Sequence, residues 1–422
     1  MPKPLATSPN LPPPVRPSLS ARPPRPPKPP FAKRLLGFLS GFGLATALLL
    51  ILGLLTWFAT LEQIEGGLHA TLAKYFDWRA WVVIPKINGE TIPVPLPGGY
   101  WTCVLLFVNL ALGGVLRMRK GARQIGVLVA HAGILFLLVA GAVSHHRSER
   151  GHMMIPEGGA SNVAEDYYEH TVEVTEIRDG KPAVIHVVRG RYLTDLTKGR
   201  IRVVRLPELP FDMEFGGYLS NADVKAVAFE KPSGDSLVLN GYYLSAKPGE
   251  LNAEADTPGC VARVIRRNGA KDEPFLLASA AFHPFTVREA DRVFTVALRK
   301  RQWIMPFTVR LDKFTAEFHP GTMKPASFES AITRIEGGTE VPAVIRMNEP
   351  LRYAGRTFYQ ASYQQLGQPP HGRMASVFEV VSNPADQWPL YSLCVVTAGL
   401  LLHFIQRLTD AIRSLSRPRT DV

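Results

Sequence analysis

The residue most suited to a chemical role in this sequence is a histidine inside an apolar run. The run GVLVAHAGILFLLVAGAVSHH covers residues 126–146, with His131 among apolar side chains and His145 and His146 at its end. If the run is a membrane helix, His131 lies about 10 Å deep at a rise of about 1.5 Å per residue. An ionisable group at that depth is costly and usually faces a helix bundle or a cavity. Its imidazole either hydrogen-bonds a neighbouring helix or ligates the iron of a planar cofactor.

Small residues accompany His131 along the same run and allow another helix or a flat ligand to approach closely. They are Gly126, Ala130, Ala132, Gly133, Ala140 and Gly141.

Nine further histidines are predicted to lie outside the membrane: His69, His145, His146, His152, His170, His186, His283, His319 and His371. Most occur alone, which is typical of surface or satisfied core positions. His145, His146 and His152 are close in sequence and could bind a metal. They follow the end of a predicted helix, and no further residue lies at the spacing expected of metal ligands. A position on the surface near the membrane interface is therefore the favoured interpretation.

The signatures of autonomous enzymes are missing from the sequence. No G-x-S-x-G, H-E-x-x-H, P-loop or dinucleotide-binding motif occurs. The three cysteines, Cys103, Cys260 and Cys394, form neither a C-x-x-C pair nor a C-x-x-C-H haem-attachment motif. We therefore expect no catalytic residue in this chain and no catalysis by the chain alone.

Four apolar segments predict transmembrane helices at residues 35–59, 100–116, 124–144 and 388–405. The first is uncharged over about 25 residues, whereas the apolar core of a signal peptide has about 7 to 15. It is therefore expected to remain as an anchor.

The net charge of +12 is concentrated in three short pieces. They are the Pro-rich tail at 1–34, the loop at 117–123 and the tail at 406–422. Such pieces face the cytoplasm by the positive-inside rule. Both termini are then cytoplasmic, residues 60–99 and 145–387 lie outside the cytoplasm, and nucleic acid is not an expected partner.

The pieces between the spans differ in character. The tail at 1–34 is predicted to be a disordered basic segment, with a docking site as the alternative. Within 60–99, helical spacing of apolar residues predicts an interfacial helix followed by Trp78 and Trp81 at headgroup depth, although these rings could instead meet a cofactor.

Residues 145–387 contain short β-branched and aromatic runs separated by turn residues, as in HTVEVTEI and FTVRLDKF. They predict a mainly antiparallel β domain, either a sandwich or a distorted barrel. The expected fold is thus an integral membrane protein with four transmembrane helices and a large β-rich extracytoplasmic domain.

One segment near the end of that domain predicts a rigid hairpin. Turn residues lie at Asn348, Pro350 and Gly355, and the second strand is the aromatic and polar run FYQASY that ends at Tyr363. It has no evident nucleophile or base.

Three apolar helices, a long outer domain with this N-x-P-x-x-x-x-G-x-x-F-Y-Q-x-S-Y pattern from Asn348 to Tyr363, and a final helix resemble the ResB (CcsB) family. These are membrane subunits of system II cytochrome c biogenesis. The resemblance extends over nearly the whole chain.

The resemblance implies a haem export and cytochrome c assembly complex in the cytoplasmic (inner) membrane. The expected partners are a ResC/CcsA-type protein with a WWD segment, apocytochrome c and membrane lipids. Haem b would be held transiently and non-covalently, shared with the partner, and His131 is the position that matches the family's third-helix histidine. This chain has no WWD segment, since residues 78–81 read WRAW. The alternative is a membrane-anchored scaffold of an unrelated envelope complex.

Overall fold

The computed structural model describes residues 30–197, 199–232, 237–281, 283–322, 324–367 and 372–415. Most of the predicted Pro-rich tail, the end of the C-terminal tail and His371 lie outside the described residues.

Six α-helices form the described helical part: α1 (Phe31–Leu39), α2 (Phe42–Gly66), α3 (Leu68–Phe76), α4 (Gly99–Asn109), α5 (Ile125–Arg147) and α6 (Trp388–Leu415). Four helical segments are long and apolar enough to cross a membrane: Phe42–Gly66, Gly99–Leu116, Ala122–Arg147 and Trp388–Leu415. The protein is therefore a membrane protein with four candidate spans, as the hydropathy predicted.

The first span differs from the single helix predicted over 35–59. The helix is interrupted at Ser40 and Gly41, and this interruption separates α1 from α2. The amide of Asn109 in α4 donates to the carbonyls of Leu39 and Gly41 at 2.7 and 3.0 Å. Backbone groups left free by the break are thus satisfied by a side chain about seventy residues away.

The second span changes its winding halfway. Helix α4 continues as a π-helix over Leu110–Leu116. Such segments are rare and often occur at functional sites.

Helices α5 and α6 approach each other through small residues. A methyl group on Gly399 would lie 2.4 Å from the Ala130 nitrogen and 2.8 Å from the Gly126 carbonyl oxygen. The Ser392 hydroxyl donates to the Gly133 carbonyl at 2.8 Å. The two backbones are therefore in direct contact, as glycine-rich membrane interfaces allow.

Twenty strands follow the chain. Four are two-residue strands between α3 and α4: β1 (Val82–Val83), β2 (Lys86–Ile87), β3 (Glu90–Thr91) and β4 (Leu96–Pro97). The others build the domain between α5 and α6: β5 (Glu149–Pro156), β6 (Ala160–Arg178), β7 (Lys181–Val188), β8 (Ile201–Val204), β9 (Phe211–Leu219), β10 (Ala222–Ala226), β11 (Tyr242–Ala246), β12 (Gly259–Arg266), β13 (Phe275–Ala278), β14 (Phe285–Glu289), β15 (Arg292–Phe318), β16 (Pro325–Glu336), β17 (Thr339–Arg346), β18 (Leu351–Tyr353), β19 (Arg356–Leu366) and β20 (Arg373–Ser382).

A ten-stranded antiparallel sheet dominates the domain. Its order is β17-β16-β15-β6-β5-β20-β19-β18, with β14 and β7 pairing on β15 and β6. One part packs against the four-stranded sheet β13-β12-β9-β8 around Phe211, Phe215 and Phe294, which we call the sandwich core. The other part curls over itself around Phe307, Phe358 and Phe378, which we call the curled core. The antiparallel β domain is confirmed, and backbone pairing does not close it into a barrel within the described residues.

The predicted hairpin lies in the curled core. Strands β18 and β19 are joined at Ala354 and Gly355, whose φ angles of 47° and 72° fit a two-residue hairpin turn. Gln360 is buried, and its side chain hydrogen-bonds both Ser330 and Ser376. These bonds connect β16, β19 and β20 across the curled sheet, so this motif holds the domain together.

A bulge marks the boundary between the two cores. Lys300 pairs with His170 and Gln302 with Glu165, so β6 carries extra residues there. The carboxylate of Asp166 accepts the amides of Tyr168 and Glu169, both at 2.8 Å, and fixes the loop. The bulge redirects β6 from one core to the other.

Replacing Gly399 with Val should separate α5 from α6. The added side chain meets backbone atoms that cannot rotate away, and overpacking costs about 1–3 kcal/mol. We expect the full chain in detergent to unfold at a lower temperature. Gly53→Val is the matched control, because the position of a Gly53 side chain is open. Equal unfolding temperatures for the two variants would refute the contact.

Glu176 should make the β domain sensitive to acid. Hydrogen bonds from Arg292 and then Arg178 lower the pKa of its buried carboxyl to about 2. The ionised form is therefore favoured in the folded state, and its stabilisation, present above the unfolded pKa of about 4.3, is lost as the pH falls towards 2.

We expect Glu176→Gln to unfold at a lower temperature than the parent at pH 7, with a difference that shrinks between pH 4.5 and about 2. Glu349→Gln, in an exposed pair with Arg346, is the control and should leave the profile unchanged. A constant difference across this pH range would contradict the assignment.

Candidate functional site

The His131 side chain is oriented by the π-helix of the second span. Its Nδ1 lies 2.9 Å from the carbonyl oxygen of Gly114. A carbonyl only accepts, so Nδ1 carries the proton and Nε2 of the neutral ring keeps its lone pair. Nε2 makes no hydrogen bond within the part of the chain that the structure describes.

This arrangement suits a ligand imidazole. Metal-binding histidines commonly donate their second ring nitrogen to a carbonyl or carboxylate, which fixes the tautomer and the ring plane. The contact also satisfies the other interpretation, a hydrogen bond to a neighbouring helix. That His131 binds a cofactor therefore stays a prediction.

The small residues beside His131 serve helix packing. Gly126, Ala130 and Gly133 are covered by α6, so this stripe accommodates another helix. Gly141 is different, because outside its own stretch of helix no atom of the described residues lies within 4 Å of the position where its side chain would begin.

A cavity of about 420 Å³ lies between α4 and α5. We call it the α4–α5 groove. Its lining is almost entirely apolar and comprises Phe76, Gly99, Tyr100, Cys103, Val104, Phe107, Leu137, Leu138, Val139, Gly141, Ala142 and His145. Its volume is in the range of small-molecule sites.

Polar groups gather where the groove ends. The Tyr100 hydroxyl lies 3.0 Å from His146 Nε2, and His145 Nε2 lies 3.8 Å from an Asp77 carboxylate oxygen. The rings of His145 and His146 meet edge to face, with centroids 4.9 Å apart. Two imidazoles, a phenol and a carboxylate thus surround one end of an apolar groove.

A second, polar cavity of about 630 Å³ adjoins the first and shares Gly141 and His145 with it. Its walls are the end of α5, the start of β5 and the β6 bulge. Glu169 binds Arg189 with two hydrogen bonds and Arg301 with one. Arg150 is less engaged, since within the described residues its one carboxylate contact, with Glu379, is 3.8 Å long and its side chain is 63% exposed.

His152 lies apart from this polar end. It stacks on Tyr167 with ring centroids 5.5 Å apart, and His69 stacks on Tyr168 at 3.9 Å. Burial lowers the pKa of His69, His152 and His170, which favours neutral rings. No group of three or more histidine, cysteine or carboxylate side chains is placed to hold a metal ion within the described ranges.

The tryptophans of the outer loop pack on the second span. Trp81 stacks on Trp101 with centroids 4.0 Å apart, and the Trp101 indole donates to the Trp78 carbonyl at 2.9 Å. Trp78 and Trp81 therefore lie at the N-terminal end of α4.

His403 in α6 was missed by the sequence analysis. Its Nδ1 is buried without a hydrogen-bond partner in the described structure, and its backbone packs on Gly126. The signal that singles out His131, one imidazole in an apolar run, also applies to residues 388–405. The chain therefore carries a second histidine within a span.

The fold and site define a four-span membrane protein with an antiparallel β domain and an oriented imidazole in its third span. The model of the ResB-like family matches residues 113–188 and 285–379. The match over these two segments confirms the resemblance to the ResB family seen in the sequence. The first segment contains His131 and the second contains the hairpin.

A match to this family implies a membrane subunit of cytochrome c biogenesis. No curated protein matches the chain.

Proposed function

We propose that this chain holds haem b within the membrane for export and for attachment to apocytochrome c, together with a WWD-type ResC/CcsA partner. The observation that carries the proposal is the His131 imidazole, whose Nδ1 is bound to the Gly114 carbonyl while Nε2 makes no hydrogen bond to the described chain. The family match gives the biological setting.

The chain's contribution to haem attachment is positioning. When bound, haem would supply the vinyl groups that react with the thiols of apocytochrome c, and the neutral imidazole of His131 would be a suitable ligand for its iron. His131 would provide one ligand from α5, and the partner would provide the other. Because no nucleophile or base of this chain is needed, we assign it no catalytic residue.

The proposed orientation places both termini in the cytoplasm and the β domain outside, in the inner membrane. The end of α5 and the start of α6 both lead into the β domain, so these two ends lie on the same side. The basic loop at 117–123 lies at the opposite end of α5, where the positive-inside rule places it in the cytoplasm. The β domain would then support the partner or receive apocytochrome c.

Replacing His131 with Ala should weaken haem binding. When the full chain is co-expressed with a WWD-type partner and purified from membranes, we expect the parent to carry haem with a bis-imidazole absorption spectrum. The variant should lose this spectrum while the partner still copurifies. An unchanged spectrum would refute the ligand assignment, and a complex without haem in the parent would favour the scaffold alternative.

Gly114→Ala should disturb the same site without removing the imidazole. A methyl group at Gly114 would lie 2.7 Å from His131 Nδ1, so the ring must rotate or shift. We expect a weaker affinity for haem and a shifted absorption maximum. Gly43→Ala, at an open position, is the control and should behave as the parent. Parent-like haem binding by Gly114→Ala would show that the carbonyl contact does not position the ligand.

A further inference from the structure

We infer that the end of the α4–α5 groove nearest the β domain is a second haem-binding position, with His145 as its imidazole. This inference rests on the proposed function and adds a location for the same cargo. Its support comes from the placement of His145, the lining of the groove and the polar cavity next to it.

The two histidines of α5 share one side of the helix. His131 and His145 are 14 residues apart, which corresponds to about 21 Å along the axis and about 40° around it. Leu138 lies midway between them in the same heptad register. The opposite side of α5 is occupied by α6 through Gly126, Ala130 and Gly133. Both imidazoles therefore lie along the side of α5 that α6 leaves free.

The second span lies along that side of α5. Gly114 contacts His131, and Tyr100 lies beside His145, with ring centroids 5.6 Å apart. Between these contacts, α4 and α5 enclose the groove, with Phe107 on one wall and Leu138 and Ala142 on the other. A flat apolar ligand fits a site whose walls are hydrocarbon and whose end nearest the β domain carries the His145 imidazole.

His145 is the less engaged of the two histidines at the groove end. His146 Nε2 is within hydrogen-bond distance of Tyr100. The His145 side chain makes no hydrogen bond within the described residues, and its nearest carboxylate, on Asp77, is 3.8 Å away. His145 also borders both cavities. It is therefore the imidazole available to a ligand in the groove.

The adjoining cavity has the chemistry to receive carboxylates. Haem combines an apolar macrocycle with two propionates, so it needs an apolar slot that opens towards cations. Glu169 already binds Arg189 and Arg301, and Glu149 also binds Arg301. Arg150 is exposed and only loosely paired, so it is the guanidinium available to a propionate. Arginine is the side chain that best binds a carboxylate in bidentate fashion. The apolar and polar cavities meet at Gly141, next to His145.

The experiment compares variants of the full chain, co-expressed with a WWD-type partner and reconstituted in lipid nanodiscs. Haem b per complex is measured by absorption after extraction, and bound phospholipid is measured by native mass spectrometry. His145→Ala removes the proposed ligand. Gly141→Leu narrows the groove, and its Cβ atom would meet no described atom outside its own stretch of helix within 4 Å.

Matched controls separate the local effects. Gly53→Leu adds the same side chain at an open position on α2, and His152→Ala removes an imidazole that lies apart from the groove end. Both should retain the haem content of the parent. We expect His145→Ala and Gly141→Leu to lose about half of the haem, and His131→Ala to lose the other half.

Three outcomes would overturn the second position. His145→Ala and Gly141→Leu could both retain full haem content while His131→Ala loses all of it, which would leave the proposed function intact. Gly141→Leu could release a phospholipid or the partner without changing haem, which would assign the groove to that occupant. A parent complex without haem would overturn the inference and the proposed function together.

Discussion

The direct backbone contact between α5 and α6 is the constraint on which the rest of the architecture depends. Gly126, Gly133 and Gly399 let the backbones of the two helices come into contact. The strands that follow α5 and precede α6 are therefore neighbours as well. Only Ser148 separates α5 from β5, and β5 pairs with β20, whose last residue, Ser382, lies opposite Glu149. Ser144 and Asn383 hydrogen-bond where the helices become strands. The packed helices α5 and α6 therefore lead directly into the paired strands β5 and β20.

This contact also determines which side of α5 is available for binding. Because α6 covers the small residues, the imidazoles at 131 and 145 are left on the side that faces the second span. That span is held at one end by the Gly114 carbonyl and at the other by aromatic and polar contacts around Tyr100. The groove forms between these two contacts. A membrane helix with one tightly packed side and one loosely packed side can be both an anchor and a binding surface.

Features set by local composition were predictable from the sequence. Hydropathy located the four spans, and alternating β-branched runs indicated the antiparallel domain. The break between α1 and α2 was not predictable, because residues 35–59 are uniformly apolar and the break is stabilised by Asn109, which is distant in sequence. The β6 bulge and the α4–α5 groove likewise arise from tertiary pairing.

The histidines show the same division between local and tertiary information. His131 could be recognised because it is an ionisable side chain in an apolar run. Its orientation depends on a π-helix, which the hydrophobic periodicity of the sequence does not predict. The interest of His145 comes only from its neighbours in space, since the sequence places it at an ordinary helix exit. His403 carried the same local signal as His131 and could have been found.

The length of the second span has a consequence for the surrounding lipid. It has 18 residues, against 26 and 28 for the third and fourth. Eighteen residues would reach at most about 27 Å even at the α-helical rise, less than the roughly 30 Å of an average hydrocarbon core. Lipid beside a short span thins locally. The bilayer should therefore be thinner along the helix that borders the groove than along the third and fourth spans.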